Sequence, residues 1–294
     1  PICNRFGSGE NMMKALLSAV FVVGLMGFNS LSVASDDMGL VPRFSFGLVP
    51  YDFKQPKRTL PDAFEAAMGG PFPETHFNVV FTTFGVGGTY FFDRFYLDGY
   101  VQTSLEANDS TPADLKEKTL FYTSIVDGTQ GYSEVFSGNR NDIQVTVGTR
   151  VTNNLSVYGG YKKGDSEADG TEGSKIDFTE NGMFFGMTVG WIILNKGVFS
   201  VNGALANLTA KLITKAPAAF GGALDLNDES SSSSGMSWGF SWRSRLTDDI
   251  GYTLAYDINR YEYGGVTDAN KEDIEDFEET FHNIRASASY SFQL

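Results

Sequence analysis

The plainest pattern of polar and apolar positions lies at the end of the chain. Over residues 284–294, Ile284, Ala286, Ala288, Tyr290, Phe292 and Leu294 alternate with Arg285, Ser287, Ser289, Ser291 and Gln293. Successive residues of a strand point to opposite faces, so this segment has one apolar and one polar side. The same period recurs in pairs of segments joined by very short connections. Residues 77–92 meet 95–105 across Asp93 and Arg94, and 143–151 meet 155–161 across Thr152, Asn153 and Asn154. Residues 183–194 meet 198–208 across Asn195, Lys196 and Gly197, and 236–246 meet 250–258 across Thr247, Asp248 and Asp249. Asn, Asp and Gly in connections this short are what tight hairpins require. With a first strand at 43–51 and the final strand, the pattern predicts about ten strands.

The connections between these hairpins differ in kind. They run over 53–75, 106–141, 163–178, 213–233 and 262–280, and they are polar and rich in Gly, Ser, Asp and Pro. Short and long connections thus alternate along the chain. A soluble sandwich with Greek-key connections has no reason to sort its loops this way. A barrel that crosses a membrane does, with tight turns at one end and long loops at the other. Most segments are near the roughly 9–11 residues needed to cross the hydrocarbon at a tilt. Phe91, Phe92, Phe95, Trp191 and Tyr252 flank the short turns, while Tyr161, Tyr261 and Tyr263 mark the opposite ends. Such aromatic girdles belong to the two membrane interfaces. The fold class expected is all-β, a closed antiparallel up-and-down transmembrane β-barrel. Eight or twelve strands are the alternative counts.

Composition adds constraints rather than a fold. Glycine (33), phenylalanine (25) and tyrosine (13) are frequent, and charged residues make up 20%. The net charge of −14 leaves no basic face for a nucleic acid. Near the N-terminus, Lys14 precedes an apolar run over 15–28, and Ser32-Val33-Ala34 places small residues before a cleavage point. This is the pattern of a secretory leader. The expected organisation is a signal peptide over 12–34, cleaved near Ala34, and one barrel domain over 35–294. Residues 1–11 precede Met13 and have no targeting logic. Cys3 is the only cysteine and falls before the leader, so the exported chain has neither disulfide nor thiolate.

The leader, the paired strands and the aromatic-rich last strand resemble small Gram-negative outer-membrane β-barrel proteins, across essentially the whole exported chain. The resemblance implies an outer-membrane location among lipid and lipopolysaccharide. It also implies that the terminal strand, with Tyr290, Phe292 and Leu294, is read by the barrel-assembly machinery. Many members end in Phe, where this chain ends in Leu294. A monomer is the expected state.

Candidate chemistry lies on the inward side. Asp98, Arg150, Lys162, Glu180, Arg243, Arg245, Asp257 and Arg285 all take inward parity. Buried charges need partners, and a barrel of this size has a lumen that side chains can fill. A filled lumen is therefore expected, with Arg243 and Arg245 sharing Asp257. A charged constriction that selects solutes is the alternative. The two histidines, His76 and His282, fall near rim ends beside Glu74 and Glu278–Glu279, where a His–carboxylate pair suits a general base or a metal. The omptin proteases, which have ten strands, use an Asp-x-Asp pair opposite an Asp-x-His pair, and this sequence has no Asp-x-His. The histidines are therefore expected to be ordinary polar residues, with no cofactor or metal.

The acidic cluster Asp268, Glu272, Asp273, Glu275, Asp276, Glu278 and Glu279 reads as a solvated loop, and 230–234 as a mobile serine run. Residues 61–68 suit a helical turn, and 120–126 suit an extended hairpin. The expected role is non-enzymatic, structural or surface-binding. A small porin-like channel is the alternative, and a rim hydrolase is less favoured.

Overall fold

The computed structural model describes residues 39–55, 75–108, 136–170, 173, 175–194, 196–215, 226–267, 273–274 and 276–293. The leader, residues 61–68, residues 120–126 and Leu294 lie outside the described residues. Among those described, ten long strands form one closed antiparallel sheet. They are β1 (Gly39–Gln55), β2 (Thr75–Phe92), β3 (Phe95–Ser104), β4 (Phe136–Arg150) and β5 (Leu155–Gly170). After these come β6 (Lys175–Ile193), β7 (Gly197–Lys215), β8 (Leu226–Arg245), β9 (Ile250–Thr267) and β10 (Phe277–Tyr290). Each strand pairs with its neighbours in sequence, and β10 closes on β1 from Arg43↔Ser289 to Lys54↔Glu278. Phe292 and Gln293 continue this seam opposite Leu40 and Gly39.

The register fixes the barrel's geometry. Ladder partners lead from Gly39 through Phe91, Tyr96, Gly148, Tyr158 and Gly186 to Ala204. They continue through Ser237, Asn259 and Phe281 and return to β1 at Tyr51, twelve residues further along. That stagger over ten strands tilts each one by roughly 40°. It also leaves the interior narrow enough for side chains to fill.

The short connections are as the sequence reads. Asp93 adopts a left-handed φ of 57° in the two-residue turn between β2 and β3. In the next two-strand unit, the Thr152 hydroxyl accepts from the Leu155 amide at 3.0 Å, and Thr247 does the same for Ile250 at 3.0 Å. Each threonine side chain closes its own turn.

The outward face changes character along the strands, and the inward face changes the opposite way. On β1, outward Leu40, Pro42, Phe44, Phe46, Leu48 and Pro50 give way to Asp52 and Lys54. Over the same length, inward Arg43, Ser45 and Gly47 give way to Val49, Tyr51 and Phe53, and these last three are buried. On β7, outward Phe199, Val201 and Leu205 are followed by Asn207, Thr209 and Lys211. Inward Ser200 and Asn202 are followed by Leu208, Ala210 and Leu212. The half nearest the short turns is therefore apolar outside and polar inside, as lipid demands. The half nearest the long connections is polar outside and apolar inside, as water demands. Phe53, Phe178, Phe277, Tyr263, Leu208 and Val266 belong to one buried cluster that fills the bore there.

Strands extend well beyond the segments legible as membrane crossings. The connection expected over 163–178 is mostly strand, since β5 runs to Gly170 and β6 starts at Lys175. The nine residues from 162 to 170 add roughly 20 Å beyond the lipid-facing band at this tilt. The serine run over 230–234 is not a mobile loop but part of β8, paired with β9. It sits at a register shift against β7, where the Ser233 and Ser230 hydroxyls accept from the Leu208 and Ala210 amides at 2.6 and 2.8 Å. Hydroxyls replace ladder carbonyls that the bulge removes.

Candidate functional site

The lumen holds the candidate chemistry, in layers stacked along its axis. Immediately below the apolar plug lies a closed charge layer. The Arg140 guanidinium donates to Glu279 at 2.5 Å, to Glu180 at 2.7 Å, to Ser166 at 3.1 Å and to Asp142 at 3.1 Å. Lys162 meets the same Glu180 oxygen at 2.8 Å. The Tyr263 hydroxyl donates to Glu180 and lies 3.1 Å from Glu279. Glu180 and Glu279 are fully buried, and Arg140 is 2% exposed. Arg140 lies over Phe281, 4.8 Å from the ring centroid, so an aromatic face covers what the carboxylates leave. Every member is paired, Glu180 is held charged by Lys162 and Arg140, and burial beside Glu180 pushes the Glu279 carboxyl above its ordinary range.

A cavity of about 100 Å³ lies below this layer, lined in part by Lys162, Tyr158, Asn202, Asp257, Asn283 and Arg285. It has room for a few water molecules. Arg285 pairs with Asp257, and Asn202 donates to the same carboxylate at 3.1 Å. The side-chain carbonyls of Asn202 and Asn283 are buried without a partner there. Groups of that kind are where ordered water sits.

Nearer the short turns, Arg43 grips Asp98 with both terminal nitrogens, at 2.5 and 2.8 Å, and the Thr89 hydroxyl adds a third contact at 2.6 Å. Tyr100, Ser45 and Gln102 form a hydrogen-bonded set beside them. Aromatic rings fill the remaining bore by lying across glycines of the next strand. A Cβ at Gly148 would overlap the Tyr96 ring, and one at Gly186 would overlap Tyr158.

The structure places the sequence candidates as follows. Asp98, Lys162, Glu180, Asp257 and Arg285 are buried on the inward face. Lys162 and Glu180 meet in one layer, and Asp257 and Arg285 meet in another. Arg150, Arg243 and Arg245 keep inward parity at the turn end. Arg243 and Arg245 do not share Asp257. That carboxylate belongs to Arg285, whose ladder partner Ala255 is two residues from it, whereas Arg243 sits opposite Thr253. Arg140, Asp142 and Arg43 were not among the candidates, and Glu279, expected in a solvated loop beside His282, is instead fully buried in the charge layer. Arg140 and Glu279 fall in segments that read as loops, so no periodicity marked them as inward.

The histidines do not converge. His282 has outward parity, and its Nδ1 lies 2.7 Å from the Tyr256 hydroxyl on β9. His76 is the ladder partner of Lys54, itself opposite Glu278, four residues along β10 from His282. No group of three or more His, Cys, Asp and Glu among the described residues is arranged to hold a metal. Of the terminal set, Tyr290 is the last residue of β10 and half-exposed, and Phe292 pairs along the backbone with Leu40.

No protein-family model and no curated relative matches this sequence. Solved structures do resemble the fold. The outer membrane protease OmpT from Escherichia coli aligns with a TM-score of 0.57 and 11% identity, covering 90% of this chain and 100% of that one. The translocator domain of the autotransporter NalP from Neisseria meningitidis aligns at 0.46 and 11% identity, covering 97% and 96%. The Pseudomonas putida toluene transporter TodX aligns at 0.37 and 10% identity, covering 94% and 93%. At such identities the likeness to OmpT carries the architecture alone. The chain has the fold of a small outer-membrane β-barrel.

Proposed function

We propose that this protein is an integral outer-membrane β-barrel with a sealed lumen and a non-enzymatic, structural or surface-binding role carried by its outward end. The observation that carries this reading is the reversal of polarity along the strands. A conducting barrel keeps a polar, water-filled bore through its whole length. Here Phe53, Phe178, Phe277, Tyr263 and Leu212 close the bore, with the Arg140–Glu180–Glu279 layer immediately beneath.

The lipid-facing band is bounded by the short turns on one side, and the hydrophilic extension rises from the other. The band takes lipid, and the extension stands at the height of lipopolysaccharide head groups. Short turns then face the periplasm. Export through the leader ending near Ala34 and insertion by the barrel-assembly machinery, read from Tyr290, Phe292 and Leu294, belong to the same reading.

Purified protein reconstituted into planar bilayers tests it. The expected record shows no discrete current steps. Reproducible steps that persist on repurification would replace this reading with the porin-like one. The hydrolase reading draws no support from His282, whose ring faces outward and bonds Tyr256. An activity abolished by His76→Ala or His282→Ala would restore it.

A further inference from the structure

Among the described residues, the lower lumen contains more positive than negative charge. Among the described inward residues between the short turns and the cavity, the cations are Arg43, Arg150, Arg243, Arg245 and Arg285. The anions are Asp98 and Asp257, and each is already gripped by an arginine, Arg43 and Arg285 respectively. Arg243 stands apart from these pairs. No carboxylate pairs with it among the described residues, and the charges acting on it are those of Arg245 and Arg43, both of its own sign.

Its surroundings are donors. Along one rung of the ladder, Arg243 is followed by Thr253, Ser287 and Ser45, all with buried hydroxyls. The rung nearer the turns runs Arg245, Gly251, Ser289 and Arg43. Neither rung carries a carboxylate. A lone guanidinium beside two others is unfavourable by itself, since like charges repel strongly where water is scarce. It becomes favourable when an oxyanion sits among them, because guanidinium and hydroxyl groups together match oxygen acceptors.

We infer that the lumen mouth at the short-turn end is a binding site for an oxyanion, a phosphate or carboxylate group held by Arg243 and the hydroxyls of Thr253 and Ser287. The polar lower bore is a dead end, closed above by the charge layer, so the ligand enters and leaves by the same mouth. In the orientation proposed above, that mouth opens to the periplasm. The site itself does not depend on orientation or on whether the barrel conducts, so failure of one reading leaves the other standing.

The test uses the folded barrel in a non-ionic detergent, titrated with inorganic phosphate against chloride at equal ionic strength. Thermal unfolding is followed by loss of the compact gel band. The expected result is a saturable rise in midpoint specific to phosphate, because a ligand that binds only the folded state stabilises it. Arg243→Gln should weaken the apparent affinity at least tenfold and Arg245→Gln less. In chloride alone, Arg243→Gln should unfold at a higher temperature than the parent, since it removes an unpaired like charge. No saturable rise, or an equal rise in Arg243→Gln, overturns the site. Asp36→Asn/Asp37→Asn removes one internal source of oxyanions, the chain's own carboxylates just before β1. If phosphate acts only in that variant, the arginines are held by those carboxylates, and a site for an external anion is overturned.

Discussion

Arg140 on β4 and Glu279 on β10, 139 positions apart in sequence, meet at 2.5 Å inside the barrel. They meet at the level where the two faces of the wall exchange character. Below them, lipid is outside and polar groups inside. Above them, water is outside and an apolar core inside. Charged groups at that level belong to neither regime, and they persist because Glu180, Lys162, Asp142 and Tyr263 complete their hydrogen bonds.

Breaking this layer should be costly. Removing one partner of a buried ion pair leaves the other uncompensated, typically at about 3–5 kcal/mol. Arg140→Met is expected to cost that much, because two fully buried carboxylates lose their shared cation. Glu279→Gln keeps an acceptor for Arg140 and should cost less. Urea unfolding in lipid vesicles measures both.

The lipid-facing band has an edge that single substitutions can locate. Phe185 is 67% exposed within the band, and Asp165 lies outward on β5 beyond it. Phe185→Arg is expected to destabilise the folded barrel by roughly 2–4 kcal/mol, the cost of a cation near mid-membrane. Asp165→Arg gives up a half-exposed pair with Lys163 and should cost about 1 kcal/mol, well below the cost in the band. Equilibrium unfolding in vesicles compares them directly.

Glycines opposite the lumen aromatics should not tolerate side chains. Gly186→Val drives two methyl groups into the Tyr158 ring, and overpacking of this kind costs about 1–3 kcal/mol. Gly99, whose outward side is open, should accept Ala with little change. Refolding yield and urea midpoint distinguish the two positions.

The membrane half of the fold was legible because its two faces differ strongly. Residues such as Val145, Val147 and Val157 alternate with Thr146, Gly148 and Tyr158, and the turns announce themselves with Asn, Asp and Thr. The upper half was not legible, because its faces contrast weakly. From Lys163 to Asp169, charged outward residues alternate with Gly, Ser and Ala, which reads as loop composition. Ser230 to Ser234 hid a strand for the same reason. The lumen pairings failed where they depended on register. Inward parity placed Arg243, Arg245 and Asp257 on one side, but only the ladder shows that Arg285 reaches Asp257 first. Arg140 lies on a strand extension that no hydrophobic period marks, and for the same reason Glu279, which is fully buried, reads from sequence as part of a solvated acidic loop.

The reversal of polarity is tested most directly by single-cysteine labelling of β5 in a Cys3→Ser background, Cys3 being the one cysteine of the sequence. A polarity-sensitive probe is placed at Val157, Tyr161, Asp165, Glu167 and Ala168 in turn, in lipid vesicles. Lipid-borne quenchers should reach positions 157 and 161, water-borne quenchers should reach 165 and 167, and neither should reach 168 inside the plug. Lipid quenching at 165 and 167, or water quenching at 168, would contradict a barrel that is sealed above its membrane band.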